Sequence, residues 1–271
     1  TMVKAGLFLM ARLWPVLAGT EAWFYLVVTT GLVTMLLGAG IALFKDDLKG
    51  LLALSTVSHL GLVTMLLGFG TPMAAVAAVF HVINHATFKA ALFMNAGIID
   101  HEAGTRDIRR LGGLALLMPI TATLAMVAAA SMAGLPLLNG FLSKEMMLHE
   151  AAQTTWFGQR GLVPVLATLA AVFSVAYSLR YVVHVFFGRR RDDYPSAPHD
   201  PPFGMWLPPA LLVGLVVAIG LAPEAMVGRL VRASATAVIG APVPDFHLAI
   251  WHGWNLAVLM SALAIVFGMA A

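Results

Sequence analysis

Residues 72–100 read PMAAVAAVFHVINHATFKAALFMNAGIID, a run in which Lys89 is the one charge before Asp100 closes it. About 20 consecutive apolar residues suffice to cross a bilayer as a helix, so a stretch of this length and apolarity predicts a membrane span. Comparable runs flank it on both sides. We place membrane segments near 2–16 (partial), 22–44, 50–70, 72–100, 114–148 (interrupted), 161–187, 205–222 and 247–271, which is seven spans plus a fragment in a single membrane domain over 1–271. The totals agree: 60% of the 271 residues are hydrophobic and 11% charged, against roughly a quarter charged in soluble domains. The fold class expected is all-α, a polytopic transmembrane bundle with a discontinuous helix.

Within 72–100, His81, His85 and Lys89 stand at i, i+4 and i+8. Offsets of about 40° keep them on one helical stripe while they climb about 12 Å. Ionisable groups at membrane depth are expensive, at least about 2.5–3.5 kcal/mol on insertion scales, so they mark function or contacts between helices. Histidine exchanges protons near neutral pH and buried lysine does so too, which suits a proton relay. The competing reading is fixed polar glue between helices or subunits. A metal site on His81 and His85 lacks any Asp, Glu or Cys on the stripe to complete it, so no metal is expected. Asn84 lies beside the stripe, placed to bond a neighbouring helix.

The segment 114–148 is too long for one crossing: as a single helix it would exceed about 50 Å against a hydrocarbon core of ~30 Å. Gly134, Pro136, Asn139 and Gly140 supply a break near its middle, followed by Lys144 and Glu145. Unwound backbone at membrane depth is tolerated where it lines a cavity or is buried in protein, which would set Lys144 beside a polar cavity. The other reading makes 137–150 a surface helix with a solvated Lys-Glu pair. In 50–70, Ser55, Thr56, Ser58 and His59 cluster after Lys49 and either continue a hydrated path or pack. Arg180 and His184 near the end of 161–187 are expected to snorkel. The stretch 224–244, with Arg229 and Arg232, is expected to lie at the surface. No acidic residue is expected deep in a span.

If the segments alternate, Lys45, Lys49, Arg106, Arg109, Arg110, Arg189, Arg190 and Arg191 fall on one side, and Arg160, Arg229 and Arg232 on the other. The positive-inside rule then makes loops 45–49, 101–113 and 188–204 cytoplasmic. The net charge of +3 is dispersed over short loops, which disfavours nucleic-acid binding. Cysteine is absent, removing disulfides and thiolate chemistry. The chain enters on a partial helix and stops while still hydrophobic, so a segment of a longer protein is expected.

DLKGLLALSTVSHLG (47–61), FHVINHATFKAALF (80–93) and MAGLPLLNGFLSKE (132–145) together resemble the lysine-bearing helices of the antiporter-like subunits shared by Mrp-type multisubunit sodium/proton antiporters and respiratory complex I. GIIDHEAGTRDIRRLGGL (97–114) and DFHLAIWHGWN (245–255) look more like the large Mrp A-type subunit than the L-type subunit of complex I. The resemblance implies roles: Lys89 as central lysine of the second half-channel, His81 and His85 as its connecting histidines, and Lys144 as terminal lysine on the broken helix. It sets Lys49 and His59 on the helix entering the axis, and Lys4 beside a first half-channel that is missing here. It further implies an ion-translocating subunit of a monovalent cation (Na⁺)/proton antiporter, with transported H⁺ and Na⁺ and no cofactor. Its partners would be the other subunits of a hetero-oligomeric complex in the bacterial inner membrane. The alternatives are a proton-pumping subunit of a complex I-like NADH:quinone oxidoreductase, and a membrane scaffold without its own ion path.

Overall fold

The structure, a computed structural model, describes residues 2–189, 191, 193–251 and 253–270. Those residues form helices and connecting loops with no named strand. After a 3₁₀ turn, α1 spans Ala5–Leu17, α2 Glu21–Leu43, α3 Leu48–Gly68 and α4 Pro72–Ala103. Each of α2 to α4 opens on a side-chain cap that takes up an otherwise orphaned backbone N–H. Trp23 N–H donates to Thr20 Oγ1, Gly50 N–H to Asp47 Oδ1 and Ala74 N–H to Thr71 Oγ1. Gly104, at φ 69°, ends α4 in the left-handed conformation.

The expected interrupted segment divides into α5 (Leu114–Leu117), α6 (Pro119–Ala133) and α7 (Asn139–Gln153). Next, α8 (Leu162–Val182) runs on into a π turn, Val183–Phe187, and α9 covers Phe203–Leu221. A second π turn, Glu224–Gly228, leads to α10 (Arg229–Ile239), and α11 is Leu256–Ala270. Among the described residues, five helices are long and apolar enough to cross a membrane: α2, α3, α4, α8 with its π turn, and α9. The helices α6 and α11, 15 residues each, fall short of that length.

One expectation about the C-terminal part is corrected. The described residues of 241–255 are not helical, and α11 begins at Leu256 rather than near 247. Side chains satisfy the backbone there: Arg232 donates to the Phe246 carbonyl at 2.6 Å, Glu224 accepts from Leu248 N–H at 3.1 Å, and Asn255 Oδ1 caps α11 through Val258 N–H. The Leu248 N–H bond, then Arg232, also holds the Glu224 carboxyl below its ordinary pKa. Within 224–244, α10 is a short helix with one face against the bundle and Arg229, Leu230, Ala233, Thr236 and Ala237 exposed on the other. Val231 and Ala235 of α10 are buried in a cluster with Val76 and Phe80 of α4, and Gly240 closes on Pro15 of α1.

Packing between α2 and α3 depends on glycine. A Cβ on Gly38 would lie 2.7 Å from Ser58 backbone N, and one on Gly68 would lie 2.7 Å from Val28 N. Gly31 and Gly61 repeat the pattern seven residues away on each helix. Small residues let membrane helices approach to backbone contact, where dispersion replaces the hydrophobic drive that lipid cannot supply.

The loops predicted to share one side meet at one end of the bundle. Ile108 N–H donates to the Asp46 carbonyl and Leu48 N–H to that of Arg106. Arg191 reaches the Arg109 carbonyl at 2.6 Å, and the Tyr194 hydroxyl donates to the Gly112 carbonyl. Asp200 caps α6 through Ile120 and Thr121 N–H, both at 2.9 Å. Side-chain bonds from Arg109 hold the Asp107 carboxyl below its usual pKa. Arg190, counted among the basic residues of this side, lies outside the described residues. Arg180 reaches the same end, donating to the Leu43 and Lys45 carbonyls after α2 and pairing with Asp46 at 2.6 Å.

Candidate functional site

The break between α6 and α7 builds half of the site. α6 ends in a left-handed Gly134 (φ 87°), with Leu135 N–H bonded to the Ala130 carbonyl and Gly134 N–H to that of Ser131, a Schellman motif. Leu137, at φ 69°, carries the chain through the exposed turn beside Pro136. Helix ends leave carbonyls without an intrahelical donor. Here those of Met132 and Ala133 are taken by Lys144 Nζ, at 2.7 and 3.0 Å, as the side chain folds back from α7. Gly134 permits this, since a Cβ there would lie 2.8 Å from Lys144 Cδ. Ser174 Oγ on α8 supplies a third acceptor at 2.8 Å. Bonds to a charged group contribute about 1.5–3 kcal/mol each, so three of them offset an insertion cost of about 2.5–3.5 kcal/mol.

Asn139 and Gly140, the other two break residues, form the joint. Asn139 accepts from Ser131 Oγ at 2.7 Å and donates to Thr87 Oγ1 at 2.9 Å, and its carbonyl accepts from Asn84 Nδ2 at 3.0 Å. Gly140 sits against the Ser131 carbonyl where no side chain fits. This asparagine-hydroxyl cluster ties α4 to both halves of the broken helix. It is glue, and Asn84 belongs to it.

The titratable groups of α4 do not form the ladder expected from their stripe. His81 Nε2 lies 3.0 Å from His59 Nδ1 on α3, and His81 Nδ1 lies 3.0 Å from Ser143 Oγ on α7. His59 Nε2 is 3.3 Å from the Tyr177 hydroxyl, and that hydroxyl is 3.0 Å from Ser174 Oγ, which meets Lys144. The result is one buried hydrogen-bonded file, Ser143–His81–His59–Tyr177–Ser174–Lys144, crossing α7, α4, α3 and α8. A cavity of about 20 Å³ lined by Ser58, His59, Lys144, Ser174 and Tyr177 runs beside it, room for about one water.

Lys89 occupies a second pocket. Its ammonium donates to Ser55 Oγ, to the Leu52 carbonyl at 3.3 Å and toward Met132 Sδ at 3.1 Å. Met132, in the last turn of α6, therefore touches both lysines, one through its sulfur and one through its carbonyl. His85 stands between Lys89 and the file, its ring centroid 5.3 Å from that of His59 and 5.5 Å from that of Phe88. Neither of its buried ring nitrogens hydrogen-bonds to the described residues.

One expected position lies elsewhere. Lys49 is at the loop end of α3, its side chain 39% exposed and paired with Asp100 at 2.7 Å, about 9 Å along the helix from Ser55. Lys144 and Glu145 are not a solvated pair. Adjacent helical residues point about 100° apart, and Glu145 is buried on the other face, where Asn255 Nδ2 donates to it at 3.4 Å. Sequence reasoning passed over Ser143, Ser174 and Tyr177. For the last two a signal existed: Ser174, Tyr177, Ser178 and Tyr181 recur at i, i+3, i+4 and i+7 in the otherwise apolar α8.

A bundle of apolar helices closed around imidazoles, hydroxyls and lysines, with one helix broken beside them, defines a polytopic helical membrane protein with a buried polar axis. The chain belongs to the NADH:quinone oxidoreductase/Mrp antiporter transmembrane family, whose model matches residues 1–173. It is 57% identical over 270 residues to a probable K⁺/H⁺ antiporter A/B-type subunit of Rhizobium meliloti, covering 99% of this chain and 27% of that protein. It is 43% identical over 295 residues to the A-type subunit of the Na⁺/H⁺ antiporter of Alkalihalophilus pseudofirmus, covering 99% and 37%. Its fold superposes on a chain of the Mrp complex from a Dietzia species with TM-score 0.89 at 39% identity, covering 99% of this chain and 29% of that one. A chain of an archaeal respiratory membrane complex, the membrane-bound sulfane sulfur reductase, gives TM-score 0.69 at 30% identity over 76% of this chain and 34% of that one. The chain thus spans between about a quarter and somewhat over a third of the curated relatives' length.

Proposed function

We propose that this chain is part of a membrane subunit of a multisubunit monovalent cation/proton antiporter, in which it forms one proton half-channel. The single observation carrying this reading is the buried file from His81 through His59, Tyr177 and Ser174 to Lys144. Every link in it can accept a proton on one side and release one on the other. Lys89, held by Ser55 and a carbonyl, loads from the side of Lys49 and Asp100, and His85 passes the proton on by turning toward one neighbour or the other. No covalent chemistry, metal or cofactor is part of this reading. The loops at 45–49, 101–113 and 188–204 face the cytoplasm of a bacterial inner membrane, and another part of the same subunit supplies the companion half-channel.

The relatives are named for both K⁺ and Na⁺, whereas the resemblance in sequence implies Na⁺. The test is everted vesicles carrying the full complex, energised by respiration and followed with a pH dye: adding Na⁺ or K⁺ is expected to dissipate the pH gradient, and the effective ion names the substrate. A second reading, a proton pump driven by electron transfer, draws on the likeness to the archaeal respiratory complex. It requires flavin or iron–sulfur partners to co-purify, and a cation-indifferent gradient would favour it over antiport. In the scaffold reading, neutralising Lys89 leaves flux intact.

A further inference from the structure

The geometry points to a binding site for the phosphate headgroup of an anionic phospholipid in the groove between the 3₁₀ turn Ile108–Arg110 and the π turn Val183–Phe187. The groove encloses about 540 Å³ and is lined by Arg109, Arg189, Arg191, His184 and Asp193. Among the described residues of the lining, three guanidiniums and an imidazole thus accompany one carboxylate. Arg109 is committed to Asp107 and Asp46, while Arg191 spends one nitrogen on the Arg109 carbonyl. Among the described residues Arg189 enters no ion pair, and His184 bonds through Nδ1 alone, to its own helix.

Arg presents a planar fork that matches phosphate oxygens and stays charged at any physiological pH. An unmatched cluster of such forks at the end of membrane helices suits an anion that is itself fixed at that depth. Exposed apolar side chains lie on the elements beside it: on the π turn Val183, next to His184, is 41% exposed and Phe187, next to Gly188, 61%, and Leu116 on α5, which packs on that turn, is 82% exposed. A soluble phosphate has no use for that fringe, whereas an acyl chain lies along it. Basic pockets between helices on the cytoplasmic side are a known physical setting for anionic headgroups. None of these residues belongs to the proton file, so the site stands or falls apart from the antiport reading.

The test is native mass spectrometry of the full complex released from detergent, counting bound cardiolipin, phosphatidylglycerol and phosphatidylethanolamine, for wild type and an Arg189→Gln/Arg191→Gln variant. The wild type is expected to keep at least one more anionic lipid than the variant, with equal phosphatidylethanolamine. Equal anionic counts, or equal loss of the zwitterionic lipid, would overturn the proposal. Displacement of the lipid by millimolar inorganic phosphate would overturn it in favour of a soluble anion, and protection by an acidic segment of a neighbouring protein in the complex would overturn it in favour of a protein contact. Both side chains are exposed, so assembly is expected unchanged. Should the double variant not assemble, Arg189→Gln alone carries the same comparison.

Discussion

Lys144 holds two carbonyls at the end of α6 and one hydroxyl on α8, and no carboxylate is among these bonds. Carbonyl dipoles compensate an ammonium without fixing it as a counter-ion would, which suits a group that must release its proton. Lys144→Met keeps the volume and removes the donors. Proton transfer by a positioned side chain contributes typically 10²–10⁴-fold, so flux is expected to fall by about 10² with the complex assembled; assembly is read by native gel and flux by the pH dye. If assembly is lost instead, the lysine is structural. Tyr177 is the sharper case, because its hydroxyl is the link between His59 and Ser174. Tyr177→Phe keeps the ring and removes that link, and flux is expected to drop about two- to tenfold, one lost hydrogen bond being worth about 0.5–1.5 kcal/mol. Wild-type flux in this variant would mean that the file does not run through α8. The residue types at Lys89, His81, His85 and Lys144 were legible because charge is rare at membrane depth. Their partners were not, since the stripe on α4 gives angular position but not which neighbouring helix faces it. His81 consequently meets His59 rather than His85.

At the scale of elements, the decisive event is the break at 134–138. Gly134, Pro136, Asn139 and Gly140 made it readable, because glycine and proline interrupt a helix by known means. The rest of the design was hidden: the Schellman end that frees the carbonyls, and the way α7 passes so close to α6 that Gly140 touches the Ser131 carbonyl. Gly140→Ala forces the two half-helices apart, and overpacking costs typically about 1–3 kcal/mol. The melting temperature of the purified complex is expected to fall, with weakened flux following; an unchanged melting temperature would show that the joint is looser than its geometry. In α8 a polar stripe was present in the sequence, but serine and tyrosine in membrane helices also serve packing, so the spacing alone did not separate the two uses. The C-terminal part misled for a different reason. The apolar run near 247–271 suggests a span, yet its helix starts only at Leu256, after Arg232 and Glu224 have bonded the backbone of Phe246 and Leu248 and with Asn255 capping the first turn.

Across the whole molecule, the charges divide between two tasks. Those of the 45–49, 101–113 and 188–204 loops interlock at one end, through Asp46 with Arg180 and Asp47 with Arg106. Lys89 and Lys144 sit instead on the axis, where they meet at different atoms of Met132. Such an axis moves protons only if its two lysines exchange protonation with opposite sides of the membrane, and Lys89 is the group on which the reading depends. The most direct test is Lys89→Ala in the full complex, reconstituted in vesicles loaded with a pH dye and challenged with Na⁺ or K⁺. Cation-dependent proton flux is expected to fall by about 10² or more with assembly intact. Undiminished flux in an assembled Lys89→Ala complex would contradict the relay.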